Sequence, residues 1–303
     1  MFNTPFSRKR KLFFLIIIFL SYCRSPYTIL KAENPGKTIK DIQGFALTAG
    51  NYKRIVTLSP NMTEICFALG LKNRLVGVSV SSDYVGIKNV ERIDGWNINY
   101  ETILLLKPDL VLTTSAGNPP QVIERLRELG LNVFHTEQAG LDGIFETIEK
   151  IGMLTKTSGK AYAVVASMKN ELELLKKTLP TRKPKPRVLY LLWTNPPMAP
   201  GGDTFLSEMI TFAGGQNIFE SSNVRIVKPS IEKIIELDPE VIFLPQGVNF
   251  SDFDERWTVI SAVKTRSVFH VNEDFVLRPG INTIKGIGEL AGRIRSRGKK
   301  DKG

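Results

Sequence analysis

Two glutamates, Glu101 and Glu232, occupy the same position in two copies of one sequence pattern. The copies are "YETILLLKPDLVLT" at residues 100–113 and "IEKIIELDPEVIFL" at residues 231–244. Each copy has Glu in second place, Pro in ninth place and an acid in tenth place, followed by an apolar run. Such a run after a helical pattern predicts a helix that leads into a buried strand. The repeat therefore predicts one carboxylate at each of two equivalent helix starts.

The residues that precede the glutamates indicate where the two helices begin. Asn99 and Ser230 are both favourable N-cap types, so each glutamate is predicted to be the second residue of its helix. The helix dipole alone favours an acid in the first turn, and neither glutamate needs a partner on that account. The dipole does not explain why the two positions agree. Two carboxylates on one face could instead meet two basic patches of a twofold-symmetric partner.

Short apolar strands alternate with helices along most of the chain. The first strand is predicted in "RIVTLSP" from Arg54, and further strands in "RLVGVSV" and "NVFHT", with helices between them. This alternation is typical of a parallel sheet covered by helices on both faces. Residues 158–179 contain no Pro and only one Gly, which predicts a single helix about 30 Å long.

The pattern restarts after this long helix. "RVLYLLW" from Arg187 corresponds to "RIVTLSP", and "GGDTFLSEMITFAGGQNIF" corresponds to "NMTEICFALGLKNRL", which aligns Glu208 with Glu64. Two copies in the same order predict an α/β protein with two similar lobes and the long helix between them. The predicted segments are an export leader at 1–23, a tether at 24–50, an N-terminal lobe at 51–155, a linking helix at 156–181, a C-terminal lobe at 182–296 and a basic tail at 297–303.

Several of these stretches, taken together and in order, resemble a known class of proteins. They are "RIVTLSPNMTEICFALG", Asp83-Tyr84, "KPDLV", the "GGDTF" segment, "SIEKIIELDPEVI" and "RPG" at Arg278. The combination is similar to the cobalamin and ferric-siderophore class of periplasmic binding proteins, and to the vitamin B12-binding receptors in particular. These proteins are the solute receptors of ABC importers, and the resemblance covers the chain from about Arg54 to Arg293.

The resemblance implies a fold, a partner and a way of working. The fold is that of a class III periplasmic binding protein, with two Rossmann-like lobes that have parallel-rich sheets and are joined by one long rigid helix. A large ligand, cobalamin or another metal chelate, is held between the lobes, and only small lobe movements are expected. Glu101 and Glu232 match the glutamates that dock onto arginines of the dimeric ABC permease in the inner membrane. The receptor is expected to be a monomer without a cofactor or a protein-bound metal.

Five residues are the candidates for contact with the ligand. Trp96 lies in a polar loop and matches a cobalamin-lining tryptophan of the family, while Trp193 ends an apolar strand and has core packing as its alternative. Tyr84 and Arg278 lie in loops at predicted strand ends, where open α/β sheets bind ligands. Asn61, in the Ser-Pro-Asn turn, could either bond to the ligand or cap its helix.

The sequence departs from the cobalamin receptors at three positions. Ser81, Thr114 and Ile226 stand where those receptors have aromatic residues. A ferric siderophore or haem is therefore the alternative ligand within the same type of importer. A ligand sensor that is not coupled to transport is a further alternative, and in that protein the two glutamates would only stabilise their helices.

The N-terminus has the pattern of an export signal, which predicts a periplasmic protein. Arg8, Lys9, Arg10 and Lys11 precede the apolar run "LFFLIIIFLSYC", which is short for a spanning helix. Cys23 stands where a lipoprotein carries its lipid, although Tyr22 is large for the position before it. Lipid attachment at Cys23, cleavage further along the chain and a retained N-terminal anchor remain open.

Other classes of function find little support. The formal charge of +11 falls to about +7 without the leader, and its basic runs lack the interleaved aromatic residues of a nucleic-acid site. The sequence has no P-loop, no G-x-G-x-x-G motif after a strand and no nucleophile elbow. With only two histidines, a zinc cluster is not expected. We therefore expect a binding protein and no enzyme.

Overall fold

A computed structural model gives the structure of the protein and describes four stretches of the chain: residues 36–85, 90–179, 184–248 and 253–298. The leader at 1–23, Cys23 and most of the basic tail at 297–303 lie outside the described residues. No helix within the described stretches combines the length and apolar character that a bilayer-spanning segment requires.

A small antiparallel hairpin opens the described chain. Its strands are β1 (Thr38–Lys40) and β2 (Ala46–Thr48), whose middle residues Ile39 and Leu47 are buried in the core of the protein. The expected tether at 24–50 is therefore wrong for its described part, because residues 38–48 pair with each other and pack on the N-terminal lobe. Strands of three residues between polar neighbours leave too little periodicity to predict them from sequence.

The N-terminal lobe contains a five-stranded, fully parallel sheet with the strand order β5-β4-β3-β6-β7. Its strands are β3 (Ile55–Thr57), β4 (Leu75–Ser79), β5 (Glu91–Ile93), β6 (Leu110–Thr114) and β7 (Val133–Thr136). Its helices are α1 (Pro60–Ala68), α2 (Tyr100–Leu105), α3 (Pro120–Glu128) and α4 (Gly140–Leu154). Every residue of β6 is buried, as expected of a central strand in a sheet covered on both faces.

The long helix α5 (Ser158–Thr178) follows, as the sequence predicts. Its buried residues Ala161, Val165, Met168 and Leu172 recur every three or four positions and form one apolar stripe. The helix packs along α4, and Gly152 makes this possible because an added Cβ there would lie 2.4 Å from the Cβ of Ala161.

The C-terminal lobe contains a four-stranded parallel sheet with the strand order β11-β8-β13-β14. A small antiparallel sheet, not predicted from sequence, lies beside it with the order β12-β10-β9. The strands are β8 (Arg187–Tyr190), β9 (Trp193–Thr194), β10 (Pro197–Pro200), β11 (Gln216–Asn217), β12 (Ile226–Val227), β13 (Val241–Leu244) and β14 (Val268–His270). The helices are α6 (Phe205–Phe212), α7 (Ile231–Leu237), α8 (Ser261–Lys264), α9 (Glu273–Val276) and α10 (Thr283–Ser296).

In the N-terminal lobe, an arginine and an aspartate tie the end of α2 to the first strand of the sheet. Arg54 donates from Nε to the carbonyl oxygen atoms of Leu106 at 3.0 Å and Lys107 at 3.1 Å. The Asp109 carboxylate accepts hydrogen bonds from the backbone N–H groups of Lys53 and Arg54 at 2.7 and 2.9 Å. These bonds fix the direction in which α2 leaves the sheet.

The C-terminal lobe repeats this arrangement around α7. Arg187 donates from Nε to the carbonyl oxygen atoms of Leu237 at 3.1 Å and Asp238 at 2.8 Å, and Glu240 accepts from the backbone N–H of Arg187 at 3.1 Å. Asp238 also shares a left-handed backbone with its counterpart Lys107, with φ values of 42° and 45°. Much of the repeated pattern therefore has a structural explanation, since it clamps a helix to a strand in each lobe.

Candidate ligand-binding and docking site

Both repeated glutamates lie at capped helix starts. Asn99 accepts a hydrogen bond on its side chain from the N–H of Thr102 at 3.1 Å, and Ser230 accepts one from Lys233 at 3.3 Å. Glu101 and Glu232 are consequently the second residues of α2 and α7, which confirms the helix boundaries predicted from the sequence. Each lobe presents one carboxylate in the first turn of the corresponding helix.

The surroundings of the two carboxylates differ. Glu232 accepts a hydrogen bond from Nη1 of Arg256 at 2.8 Å, and Arg256 also donates from Nη2 to Asp254 at 2.8 Å. The bond from its own backbone N–H, then the Ser230 hydroxyl and Arg256, lower the pKa of Glu232. Within the described stretches Glu101 forms no ion pair, and Leu105 one turn further along α2 is 76% exposed.

Trp96 is displayed on a loop that the rest of the lobe holds in place. Its side chain is 69% exposed, whereas Gly95 beside it is packed so closely that an added Cβ would lie 2.3 Å from the carbonyl oxygen of Leu58. The Asp94 carboxylate accepts from the N–H of Trp96 at 2.9 Å, and Asn118 donates to the carbonyl oxygen of Gly95 at 3.0 Å. The loop thus presents the indole to solvent from a fixed backbone.

Trp193 is a second exposed indole, in the other lobe. It is 56% exposed on β9, and its N–H donates to the carbonyl oxygen of Asn195 at 3.0 Å. Val224 and Ile226, before and on β12 of the same small sheet, are exposed as well. Core packing, the alternative weighed for Trp193, is therefore excluded, whereas the third tryptophan, Trp257, is buried in its lobe.

A cavity of about 510 Å³ lies between the turn after Trp193 and the start of α7. Residues 194–197 form one wall, residues 229–231 form a second, and Asp254, Arg256 and Trp257 contribute to a third. The hairpin that carries the exposed indole and the start of the Glu232 helix therefore border the same cavity.

Asn61 lies at a contact between the two lobes. It is buried, and its Nδ2 donates to the carbonyl oxygen of Pro279 at 3.0 Å and to Oε1 of Gln138 at 3.3 Å. Its Oδ1 accepts from the hydroxyl of Ser59, which is the N-cap residue of α1. Asn61 is thus not the N-cap residue, although its Oδ1 also accepts from the first-turn N–H of Met62 at 3.1 Å. A ligand could reach its amide only by displacing these bonds.

Arg278 belongs to the same contact between the lobes. Its guanidinium forms an ion pair with Asp274 at 2.9 Å and lies close enough to Glu64 to lower the pKa of that carboxyl. Burial is the larger effect, however, and it raises the pKa of Glu64 to about 7.

The last ligand candidate, Tyr84, lies in the 3₁₀ segment Val80–Val85, and its side chain lies outside the described part of the structure.

The sequence did not point to two buried polar residues, Gln138 and Asn118, that support the candidate ligand contacts of the N-terminal lobe. Gln138 accepts from Thr114 at 2.6 Å and donates to Thr136 at 2.8 Å, and Asn118 holds the Trp96 loop. Both follow parallel strands closely, at the edge where α/β sheets bind ligands. That position is a signal available from the sequence, and a search for aromatic and charged residues alone passes over it.

The family of the protein follows from its sequence. Residues 55–275 match the profile of a protein family described as "Periplasmic binding protein". The chain belongs to this family. Its members are non-enzymatic transport components, which confirms the expectation that the protein is not an enzyme, and they bind a small molecule and work with a membrane permease.

Named relatives of this periplasmic binding protein span most of its length. It is 32% identical over 245 residues to the vitamin B12-binding protein of Vibrio campbellii, covering 80% of this chain and 89% of the relative. It is 32% identical over 278 residues to an uncharacterized ABC transporter substrate-binding lipoprotein, YvrC, of Bacillus subtilis, covering 89% and 85% of the two chains. The crystal structure of the periplasmic vitamin B12-binding protein BtuF of Vibrio cholerae has a TM-score of 0.73 and 30% identity, covering 82% and 99%. These similarities confirm the class III fold predicted from the sequence.

Proposed function

We propose that this protein captures cobalamin or a related corrinoid between its lobes and delivers it to the permease of an ABC importer. The observation that carries the proposal is the pair of exposed indoles, Trp96 and Trp193, one on each lobe. A large exposed aromatic side chain on a fixed support suits a flat, mostly apolar ligand, because burying its surface contributes about 25 cal/mol per Å². The named relatives that bind vitamin B12 support this choice of ligand.

A ferric siderophore or haem is the second candidate ligand, favoured by three residues. By the resemblance, Ser81, Thr114 and Ile226 match positions that are aromatic in cobalamin receptors. The Thr114 hydroxyl also donates to Gln138. Fewer aromatic walls leave a site that is less specific for a corrin ring. Both ligands are large metal chelates, so the proposed place of binding, between the lobes, and the transport role are the same for the two proposals.

Delivery depends on Glu101 and Glu232, which we propose dock onto arginines of the permease dimer. One chain supplies both carboxylates, on equivalent helices of its two lobes, and so a monomer is sufficient to engage a twofold-symmetric partner. Export to the periplasm and lipid attachment at Cys23 complete the proposal. The name of the Bacillus subtilis relative, which describes a lipoprotein, supports the last point.

A binding titration tests the choice of ligand. Tryptophan fluorescence of the mature protein is followed during additions of cyanocobalamin, haemin and a ferric hydroxamate siderophore. Substituting Trp96→Ala or Trp193→Ala should weaken the true ligand by about 1–3 kcal/mol, while Tyr162→Ala, an exposed aromatic change on α5, serves as the control. Wild-type affinity in both tryptophan variants would refute the proposed site, and tightest binding of haemin or the siderophore would select the second ligand.

A further inference from the structure

An acid on each lobe reaches across to the other lobe at a helix start. In the first contact, Glu64 lies on α1 of the N-terminal lobe, and its Oε2 accepts a hydrogen bond from Nδ2 of Asn282 at 3.0 Å. Asn282 is the residue that precedes α10 of the C-terminal lobe. The two residues are 218 positions apart in sequence, and Glu64 is buried.

The second contact runs in the opposite direction. Glu208 lies on α6 of the C-terminal lobe, and its Oε2 accepts a hydrogen bond from the backbone N–H of Leu141 at 3.1 Å. Leu141 is the second residue of α4 in the N-terminal lobe. The Glu208 carboxylate therefore satisfies one of the free N–H groups in the first turn of α4, where the helix dipole also favours a negative charge.

The two contacts correspond to each other in the repeat. Glu64 and Glu208 occupy aligned positions of the sequence copies, each on the helix that follows the first parallel strand of its lobe. Their targets correspond as well, because α4 follows the last strand of the N-terminal sheet and α10 follows the last strand of the C-terminal sheet after the short helix α9. Each lobe thus uses its first helix to hold the start of the other lobe's last helix.

The backbone around the Glu208 contact is shaped for close approach. Gly140, at the start of α4, has a φ of 70°, and an added Cβ would lie 2.4 Å from Oε2 of Glu208. At Gly280, before α10, an added Cβ would make only ordinary contacts, 3.4 Å from the Cβ of Asn61 and 3.7 Å from Oε2 of Glu64, so the Glu64 contact does not depend on this glycine. A side chain at position 140 would force the carboxylate away from the helix start.

We propose that Glu64 and Glu208 act as a pair of interlobe locks, which hold the two lobes in one relative orientation. The locks complement α5, which joins the lobes covalently but contributes only one connection. They are positioning residues for the proposed docking, since the separation between Glu101 and Glu232 depends on how the lobes are oriented. The locks themselves require no ligand and no permease, so they can be tested independently of the proposed function.

Distances between spin labels on the two lobes test the locks. Labels are placed at Glu128→Cys on α3 and Glu236→Cys on α7, both exposed, with Cys23 replaced by Ser. Cys66 is buried, and burial raises the pKa of its thiol to about 12, so it should not react. The wild-type protein should give one narrow distance distribution, and the double variant Glu64→Ala/Glu208→Ala a clearly broader or displaced one.

A matched control and a second measurement complete the test. The variant Glu146→Ala/Glu220→Ala removes one exposed acid from each lobe, whose partners Lys150 and Gln216 lie in the same lobe, and it should leave the distribution unchanged. Hydrogen exchange at the Leu141 amide should quicken in Glu208→Ala and be restored in Glu208→Gln, which keeps an acceptor oxygen. Wild-type distances in a folded double alanine variant, or wild-type exchange at Leu141 in Glu208→Ala, would overturn the proposal. Neither result would bear on ligand capture.

Discussion

The repeated unit around α2 in the N-terminal lobe can be compared directly with the unit around α7 in the C-terminal lobe. At the end next to the sheet, the two units make the same bonds, with Arg54 and Arg187 each donating to the last carbonyl groups of the helix. At the opposite end, Glu232 is paired with Arg256, whereas Glu101 has no ion-pair partner within the described residues and lies near the exposed Leu105.

The difference separates two parts of the repeated unit. The bonds at the sheet are set by the unit itself, whereas the surroundings of the glutamate are set by neighbouring segments of the lobe. The clamp to the sheet involves only residues inside the unit and beside the adjacent strand, so its arginine-to-carbonyl bonds recur in both lobes, and Arg187 adds an ion pair with Asp238. The start of the helix, which carries the glutamate, contacts a neighbouring segment that differs between the lobes. In the C-terminal lobe this segment contains Asp254 and Arg256. In the proposed docking, a twofold-symmetric permease would therefore meet two carboxylates in equivalent positions but in different electrostatic environments.

Charge reversal at both Glu101 and Glu232 should have the largest effect. It tests whether the two carboxylates share the proposed docking role. In Glu101→Lys/Glu232→Lys, ligand uptake should fall more than tenfold, because each lysine would repel a basic patch of the permease, while ligand affinity stays within about twofold. Uptake of labelled ligand by cells measures the first quantity and fluorescence titration the second. The control, Glu128→Lys/Glu173→Lys, reverses two other exposed acids, which lie on α3 and α5. Undiminished uptake in the first variant would contradict the docking role.

The second-largest effect is expected in the pH dependence of stability, which should differ between Glu64 in the N-terminal lobe and Glu208 in the C-terminal lobe. Burial raises the pKa of Glu64 to about 7 from its ordinary value of 4.5, so below pH 4.5 the folded and unfolded chains both hold the proton and the shift costs nothing. As the pH rises towards 7, the unfolded chain ionises first, and the free energy of unfolding should fall by up to about 3 kcal/mol from this residue.

Glu64→Gln should remove this fall, as denaturant unfolding at a series of pH values would show. Glu208→Gln should remove less, because Glu208 is only half-buried and the N–H of Leu141 lowers its pKa against the effect of burial. Equal pH profiles for wild type and Glu64→Gln would show that the Glu64 carboxyl ionises freely in the folded protein.

Substitution of Arg54 and Arg187 tests the two similar clamps at the sheet ends of α2 and α7. Arg54→Ala and Arg187→Ala should each lower the free energy of unfolding by about 1–3 kcal/mol, because helix carbonyl groups lose a charged donor. The loss should be greater for Arg187, which also pairs with Asp238 at 3.2 Å. Urea denaturation measures both, with Arg125→Ala, which removes an exposed ion pair to Glu128, as the control. A larger loss for Arg54 would contradict the additional contribution expected from the Arg187–Asp238 ion pair.

The smallest expected effect concerns Arg256, which pairs with Glu232 and has no described counterpart at Glu101. Arg256→Ala should strengthen binding to the permease by a factor of about two to five, because it releases Glu232 from an exposed ion pair that competes with the partner's arginines. Binding to permease in nanodiscs measures the change, which should shrink as salt is added. Weaker binding in this variant would indicate that Arg256 contacts the permease directly.

The sequence was sufficient to predict the features that arise from local patterns. The caps Asn99 and Ser230, the position of each glutamate and the long helix without proline are all properties of short stretches, and the structure has them. The duplication also predicts two lobes, because each copy repeats the same order of strands and helices.

Contacts between distant residues could not be predicted in this way. Asp41 meets Arg127 across 86 positions, and this pairing anchors a hairpin whose strands have only three residues each. Asn61 reaches Pro279, 218 positions away, and its buried bonds give it a role between the lobes that its turn motif does not reveal. Such pairs are selected by packing of whole elements, and one sequence does not show which distant residues will meet.

The packing beneath Trp96 suggests how the receptor could be re-engineered as a biosensor. Gly95 has no room for a side chain, and Asn118 donates to the carbonyl groups of both Gly95 and Leu58, so the backbone under the indole is fixed while the indole itself projects outward. A mutagenesis library that varies position 96 and leaves positions 95 and 118 unchanged would alter the chemistry presented to a new analyte while retaining the geometry that presents it.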